Sequence, residues 1–328
     1  MVSMQDIADR LNVSRSTVSL VLSGKAGSRV SEDVKKKVFQ TARELNYHVN
    51  EVARSLRTGS SRLIGVIVTD ISNEFFGRLT FHIQEEAKKA GYLVLTINTN
   101  ENPKDFGEMV RVLIGKQVDG IIAVPPSGGE SDIVHIQSMD VPVVTVDRPC
   151  NGVEVDYVGV DNYAGARSAV DALLRDGYKD VALVALDLDI PPLNERRNAY
   201  RDALAAAGLQ RKEDIRLIPF GREEEVDIVR IVRGLRRKDA VFFTSRRAFT
   251  QTMAQLAWNG LAIPAKQCLL CFDDVQPYLT VHGNLRYVEQ PVEEMARKAF
   301  SLLMDQIQGG QETGRYLFQT RCIYNHKI

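Results

Sequence analysis

Two hydrophobic rhythms divide this chain. From Leu63 onward, short apolar runs rich in β-formers alternate with amphipathic stretches of helix length. The runs Leu63–Val68, Leu93–Ile97, Gly120–Val124, Val141–Val146, Val181–Leu186, Ala240–Thr244 and Cys268–Phe272 predict strands. The stretches 76–90, 104–116, 162–175, 195–207, 223–236, 247–259 and 291–308 predict helices. Apolar strands that alternate with helices indicate parallel sheets covered on both faces. About 265 residues is long for one such core, so two doubly wound α/β subdomains are expected.

The first 62 residues carry only a helical rhythm. In MQDIADRL, Ile7, Ala8 and Leu11 share one face. Asn12 follows, a residue that tolerates the left-handed conformation of a tight turn. Ser14 is placed to cap a second helix whose Val18, Val21 and Leu22 turn inward. Ala8 is small where the two helices would cross. Ser31 is placed to cap a third helix, 32–46, with Val34, Val38, Ala42 and Leu45 inside. Three short helices, two of them joined by a tight turn, predict a helix-turn-helix headpiece.

Charge changes the picture of this headpiece. The whole chain balances 42 basic against 42 acidic residues, which by itself argues against a nucleic-acid binder. Residues 1–62, however, hold eleven basic and six acidic side chains, an excess of five that the rest of the chain cancels. Such asymmetry suits either DNA contact or a solvated basic face. A second helix entering a major groove would present Ser14, Arg15, Ser16 and Thr17 first, with Ser19 and Leu20 a turn later. Arg can bind guanine through two hydrogen bonds. Lys25 and Arg29 in the following loop are candidate phosphate contacts.

Residues 50–58, NEVARSLRT, predict a further short helix with Asn50 as cap. Eight or nine residues do not hold a helix alone in water. Val52, Ala53 and Leu56 lie on one side, Arg54 and Arg57 on another. The stripe fits a linker packed on the next domain. It also fits insertion into a minor groove, with Leu56 as a wedge between base pairs.

The ordered motifs MQDIADRLNVSRSTVSLVLSG, RVSEDVKKKVFQTARELNYHVN and EVARSLRTGSSRLIGVIV resemble the LacI family of bacterial transcription regulators. The resemblance continues through DISNEFF (70–76), AGY (90–92), VDGII (118–122), VPVVTVDRP (141–149), VGVDNYAGA (158–166), ERRNAY (195–200), CFDD (271–274) and EQPVEEMARKA (289–299). It implies a helix-turn-helix domain at 1–48, a hinge helix and linker at 49–61, and an effector-binding and dimerisation core at 62–328. That core would resemble periplasmic binding proteins. Its N-subdomain would take about 62–160 and 290–320, its C-subdomain about 161–289 and 321–328. The resemblance places Leu56 as the intercalating leucine and Ala53 as its packing neighbour. Three departures stand out: Leu20 where the family often has arginine, a longer loop around Lys25–Arg29, and Val49 where a proline is common.

Clefts at the carboxyl ends of parallel strands bind ligands. The family's ligand positions fall on Asn73, Phe75, Asp147, Arg148, Arg196, Ser245, Arg246 and Asp273. For each, a local cap or ion pair is the alternative. Sugar-responsive members usually carry Asn-Asp at Ser245-Arg246. With Arg148 and Arg196, that exchange extends the expected effector from a sugar to an anion such as a sugar phosphate. Arg247 is left facing solvent, and Trp258 is assigned to the C-subdomain surface or a dimer interface.

Other signals point to nothing further. Cys268 and Cys271 have C-x-x-C spacing, but on a strand residues three apart face opposite ways. The five histidines have no ligand spacing, and no phosphate loop or catalytic motif is present. No cofactor, metal or enzyme activity is expected. The N-terminus lacks an apolar signal core, no apolar run is long enough to span a membrane, and four cysteines are too few for a disulfide framework. The expectation is a cytoplasmic repressor that binds double-stranded operator DNA as a homodimer, with no tetramerisation tail evident. The competing expectations are a regulator governed by a protein corepressor and a solute-binding protein.

Overall fold

The computed structural model describes residues 2–24, 26–47, 59–221, 228–280, 282–310 and 313–324. Lys25 and the short helix expected over 50–58, with Asn50, Ala53, Arg54 and Leu56, lie outside them. The chain forms two compact units, Met1–Ser61 and Arg62–Ile328.

The first unit holds α1 (Met4–Leu11), α2 (Arg15–Leu22) and α3 (Glu32–Glu44). Each starts on a serine. Ser3, Ser14 and Ser31 accept hydrogen bonds from Asp6 N, Thr17 N and Val34 N, which satisfies amides that the helix itself leaves unpaired. Asn12 closes α1 in the left-handed region at φ 54°, and Val13 N donates to Ala8 O. This turn lets Ile7 and Ala8 meet Val18, Val21, Val38 and Ala42 in one small core.

The second unit has two six-stranded sheets. In the first run β1 (Leu63–Val68), β2 (Leu93–Asn98), β3 (Gly120–Ala123), β4 (Val143–Val146) and β5 (Asp156–Val160). Between them lie α4 (Glu74–Lys89), α5 (Pro103–Gly115) and α6 (Glu130–Ser138). The chain then crosses to α7 (Asn162–Arg175), β6 (Val181–Asp187), α8 (Pro191–Ala206), β7 (Ile215–Pro219) and α9 (Ile228–Arg233). It continues through β8 (Ala240–Phe243), α10 (Arg246–Trp258), β9 (Cys268–Phe272) and β10 (Leu285–Glu289). It returns for α11 (Val292–Ile307) and β11 (Arg315–Phe318), and crosses a third time to β12 (Arg321–Tyr324). The sheet orders are β11-β5-β4-β3-β1-β2 and β12-β10-β9-β8-β6-β7. Every pairing is parallel except β10 with β12.

Strand alternation decides what each face buries. Ile64, Val66 and Val68 belong to one core cluster, whereas Ile67 joins another with Phe106, Val110 and Leu113. Gly65 leaves space on that second face: a Cβ there would sit 2.4 Å from Leu113 Cδ1. Cys268 and Cys271 divide the same way, into different clusters on opposite faces of β9. Both are free thiols. The C-terminal α11 packs on α4 and across β3, β4 and β5, so the chain's last helix completes its first sheet.

Candidate functional site

The headpiece presents the amino end of α2 to solvent. Ser14, Arg15 and Ser16 are exposed, and Thr17, Ser19 and Leu20 are partly buried. Ser14 Oγ lies 2.7 Å from Ser16 Oγ and 2.8 Å from Thr17 Oγ1, so three hydroxyls gather at one helix start. The positive end of the helix dipole suits phosphate oxygens, the hydroxyls can bond phosphates or base edges, and Arg15 projects beside them without a bound partner among the described residues. Leu20 packs partly against the headpiece core. That restricts the apolar surface it leaves free toward DNA. Arg29, on a short 3-10 turn, is exposed.

In the second unit, both sheets end their strands on one cleft of roughly 550 Å³, part of it open to solvent. Asn73, Phe75, Asp147, Arg148, Arg196, Ser245 and Asp273 all line it. Asn73 caps α4 through Oδ1, which accepts from Phe75 N at 3.1 Å. Ser245 caps α10, accepting from Ala248 N. Both caps fix where the polar group sits at the cleft wall. Phe75 stacks edge-on against Phe76, and Phe220 adds a third ring to the lining.

Two buried arginines order the floor. Arg148 grips Glu101 with two nitrogens, each 2.5 Å from a carboxylate oxygen. Its Nε is 3.6 Å from Asp147 Oδ2, beyond hydrogen-bond distance. Arg196 lies with its guanidinium 3.6 Å from the centre of the Phe272 ring. Its Nε and Nη2 donate to Asn162 Oδ1 at 2.9 and 2.7 Å, and Nη1 donates to Thr244 O at 2.8 Å. The planar fork serves both acceptors at once, which a lysine could not do.

Burial is the dominant electrostatic influence here. It pushes Asp147 up to about 6, against the opposing pull of Arg148 and Arg196. It also raises Asp273, opposed by Arg196 and by the hydrogen bond from Arg246 N. Burial lowers Arg196, with Asp273 and Asp147 resisting. Gln290 Nε2 donates to Asp273 Oδ1 at 2.6 Å, while its buried Oε1 has no partner. The lining thus holds carboxylates, guanidinium groups and an amide acceptor around aromatic walls. That mixture is suited to hold a small polar molecule by hydrogen bonds and ring faces.

Arg246 and Arg247 exchange the positions that sequence assigns them. Arg246 does not line this cavity; it points toward Glu74 and the Asp274 carbonyl. Arg247 faces the cleft instead of solvent, 2.7 Å from Asp70 and over the Phe220 ring. Neighbouring helix residues are turned by about 100°, so one position decides which arginine enters. Arg196 also does not open its helix: α8 begins at Pro191, where the missing amide is harmless, and Arg196 lies in the second turn. Trp258 is 78% exposed, on the surface of the second sheet's subdomain. Sequence reasoning missed Asp70, Glu101, Phe220 and Gln290. Glu101 follows β2 at φ 61°, and the rule that ligands gather beyond strand carboxyl ends is the signal that points to it.

Among the described residues, no group of His, Cys, Asp and Glu is placed to hold a metal ion. No helix among them is long and apolar enough to cross a membrane.

Residues 3–50 match the model for bacterial regulatory proteins of the lacI family. Residues 61–229 match the periplasmic binding proteins and sugar binding domain of the LacI family. The chain belongs to the LacI family. It is a DNA-binding transcription regulator of that family and not an enzyme. Residues 170–324 also match a periplasmic binding protein-like domain. The sucrose operon repressor of Pediococcus pentosaceus is 30% identical over 93% of this chain and 92% of its own. The ribose operon repressor of Halalkalibacterium halodurans is 28% identical, covering 98% and 96%. A solved Lac repressor dimer, bound to operator and the anti-inducer ONPF, shares the fold with a TM-score of 0.80. It is 20% identical and covers 98% of this chain and 97% of that one.

Proposed function

We propose that this LacI-family regulator is a cytoplasmic repressor that binds a palindromic operator as a homodimer and responds to a neutral polyhydroxylated effector in the cleft. The observation that carries the effector reading is the pairing of the cleft's own charges. Asp70, Glu101, Asp147 and Asp273 face Arg148, Arg196 and Arg247 in the lining. Arg148 is engaged by Glu101 and Arg247 by Asp70, and Arg196 is held by Asn162 and Thr244. An anion would enter a lining with one more carboxylate than guanidinium. Hydroxyls suit it better: they can donate to Asp147 and Asp273 and accept from the arginines. The arginine count that suggests a sugar phosphate is unchanged, because Arg247 enters this cavity as Arg246 leaves it; what weakens that reading is that each lining guanidinium already has a protein partner.

Dimerisation finds support at the sheet edges. The outer strands β2 and β7 expose Leu93, Leu95 and Leu217, and Phe81 and Trp258 are also exposed. Apolar side chains on open edges favour a covered, symmetric contact. In DNA binding, Arg15 and Ser16 would read base edges, Ser14, Thr17 and Ser19 the backbone, and Lys25, Arg29 and Arg54 adjacent phosphates. Asn50 would cap the hinge helix, Ala53 would pack at its dimer contact, and Leu56 would wedge the central step.

The test takes the full chain and operators selected from random DNA. Neutral pentoses, hexoses and disaccharides are titrated by calorimetry beside their phosphates, and operator affinity is followed with each. Tight binding of a neutral sugar that changes operator affinity supports the reading. Binding confined to phosphates overturns the effector class. Unselective DNA binding, or equal loss of specific and nonspecific binding in Leu56→Ala, overturns the operator mechanism.

A further inference from the structure

The two sheets of the core are tied along one rim by ion pairs that no ligand contact requires. The segment after β1 supplies Asp70, Glu74 and Arg78. The start of α10 supplies Arg246 and Arg247, and the turn after β9 supplies Asp274. Arg247 Nη1 lies 2.7 Å from Asp70 Oδ2, Arg246 Nη2 2.5 Å from Glu74 Oε2, and Arg78 Nη1 3.4 Å from Asp274 Oδ2. Every pair joins one sheet's subdomain to the other's. The signs run negative, negative, positive on one side and positive, positive, negative on the other, so a displaced register meets like charges.

The rim is built rather than incidental. Asp70 is fixed by Ser72, whose backbone and hydroxyl both donate to Oδ1. Arg247 rests over Phe220, its guanidinium 4.4 Å from the ring centre. Arg246 also donates to the Asp274 carbonyl, and its backbone N donates to Asp273 Oδ2 at 3.1 Å. Asp273 lines the cleft, so the rim and the cleft share a residue chain.

We propose that these pairs form a latch that biases the core toward subdomain closure from within. Single exposed pairs are weak, but three on one rim act together and are screened by salt. The latch therefore sets the open-to-closed ratio on which any ligand acts. Its regulatory consequence rests on the effector reading above: a ligand reaching Asp70 or Arg247 must replace part of what closes the cleft. The latch itself does not rest on that reading.

The experiment uses the full chain with nitroxide labels on Lys104→Cys and Asp187→Cys, both exposed positions on opposite subdomains. Cys150→Ser and Cys322→Ser remove the two partly exposed thiols, and Cys268 and Cys271 are fully buried. Label distances are measured by electron–electron resonance at low and high salt, without ligand. The double variant Arg246→Met with Arg247→Met is expected to raise the open-to-closed ratio about three- to tenfold at low salt. High salt should shift the parent protein the same way and leave the double variant nearly unmoved. Exchanging charges in Glu74→Arg with Arg246→Glu should return the parent distribution. Identical distributions in parent and double variant at both salts overturn the latch, as does a swapped pair that stays open. No sugar is present, so a failed sugar titration and a failed latch are separate results.

Discussion

Asp147 and Asp273 stand at matching places, each one residue beyond a strand of its own sheet, β4 and β9. Each adopts a left-handed backbone, with φ 67° and 95°. Such conformations are costly for residues other than glycine and persist where surroundings impose them. Here they turn two buried carboxylates from opposite sheets onto one cleft. Burial raises Asp147 to about 6. An aspartate raised on folding favours the folded state while protonated. Its contribution is therefore present below the unfolded value near 3.8 and lost as pH rises through about 6. Asp147→Asn should remove this dependence. The stability of the variant relative to the parent should rise by about 1–3 kcal/mol between pH 4 and pH 7. Paired denaturant titrations across that range check it, and parallel pH profiles would refute the burial argument.

Gly165 leaves room for the crossover into β12. A Cβ there would lie 2.4 Å from Thr320 Oγ1. Gly165→Ala should cost about 1–3 kcal/mol through overpacking. Adding Thr320→Ala removes the clashing oxygen and should recover most of that loss. Thermal unfolding of both variants gives the comparison, and two simply additive losses would show that the contact is not the cause.

Ser14 holds the start of α2 through Thr17 N at 3.1 Å. Ser14→Ala should destabilise the headpiece by about 1 kcal/mol. Arg15→Ala should instead leave stability nearly unchanged and cost about 1–3 kcal/mol of specific operator binding. Hydrogen exchange in α2 and competition against random DNA separate the two effects. Arg15→Ala losing equally on random DNA would reassign Arg15 from base edges to phosphates.

Arg196 is both a wall of the cleft and a tie between α7, α8 and β8. Arg196→Met keeps length but leaves Asn162 Oδ1 and the Thr244 carbonyl without their donor. It should cost about 3 kcal/mol of core stability, the scale for breaking one side of a buried charged network. Arg196→Lys should recover only part, because one ammonium cannot serve both acceptors from the stacked position. Full recovery by lysine in a denaturant titration would mean that charge, not fork geometry, is what the site needs.

Much of the fold was legible because its signals are local. The apolar runs of β1 and β9 coincide with their strands, and α7 begins and ends where its amphipathic pattern does. The unrecognised strands were those whose composition hides them. In β5, Asp156 and Gly159 interrupt the apolar run. In β7, Arg216 and Pro219 suit an open edge. In β10, Arg286 and Glu289 break up the apolar residues, and β11 and β12 are four residues each and begin on arginine. Their strand state comes from neighbours that complete hydrogen-bonded ladders, not from their own propensity.

The site divides along the same line. Caps, the turn at Asn12 and the exposed start of α2 follow from residue order, because each depends on atoms three or four positions apart. Sequence by itself therefore determined a three-helix headpiece, an α/β core and the headpiece's excess of positive charge. Only tertiary structure decided which arginine enters the cleft, because a 100° step on α10 separates Arg246 from Arg247. Only tertiary structure brought Glu101 to Arg148 and Asp70 to Arg247, partners 47 and 177 residues apart. Charge balance in the cleft depends on those long-range pairings, which no count of arginines along the chain can supply.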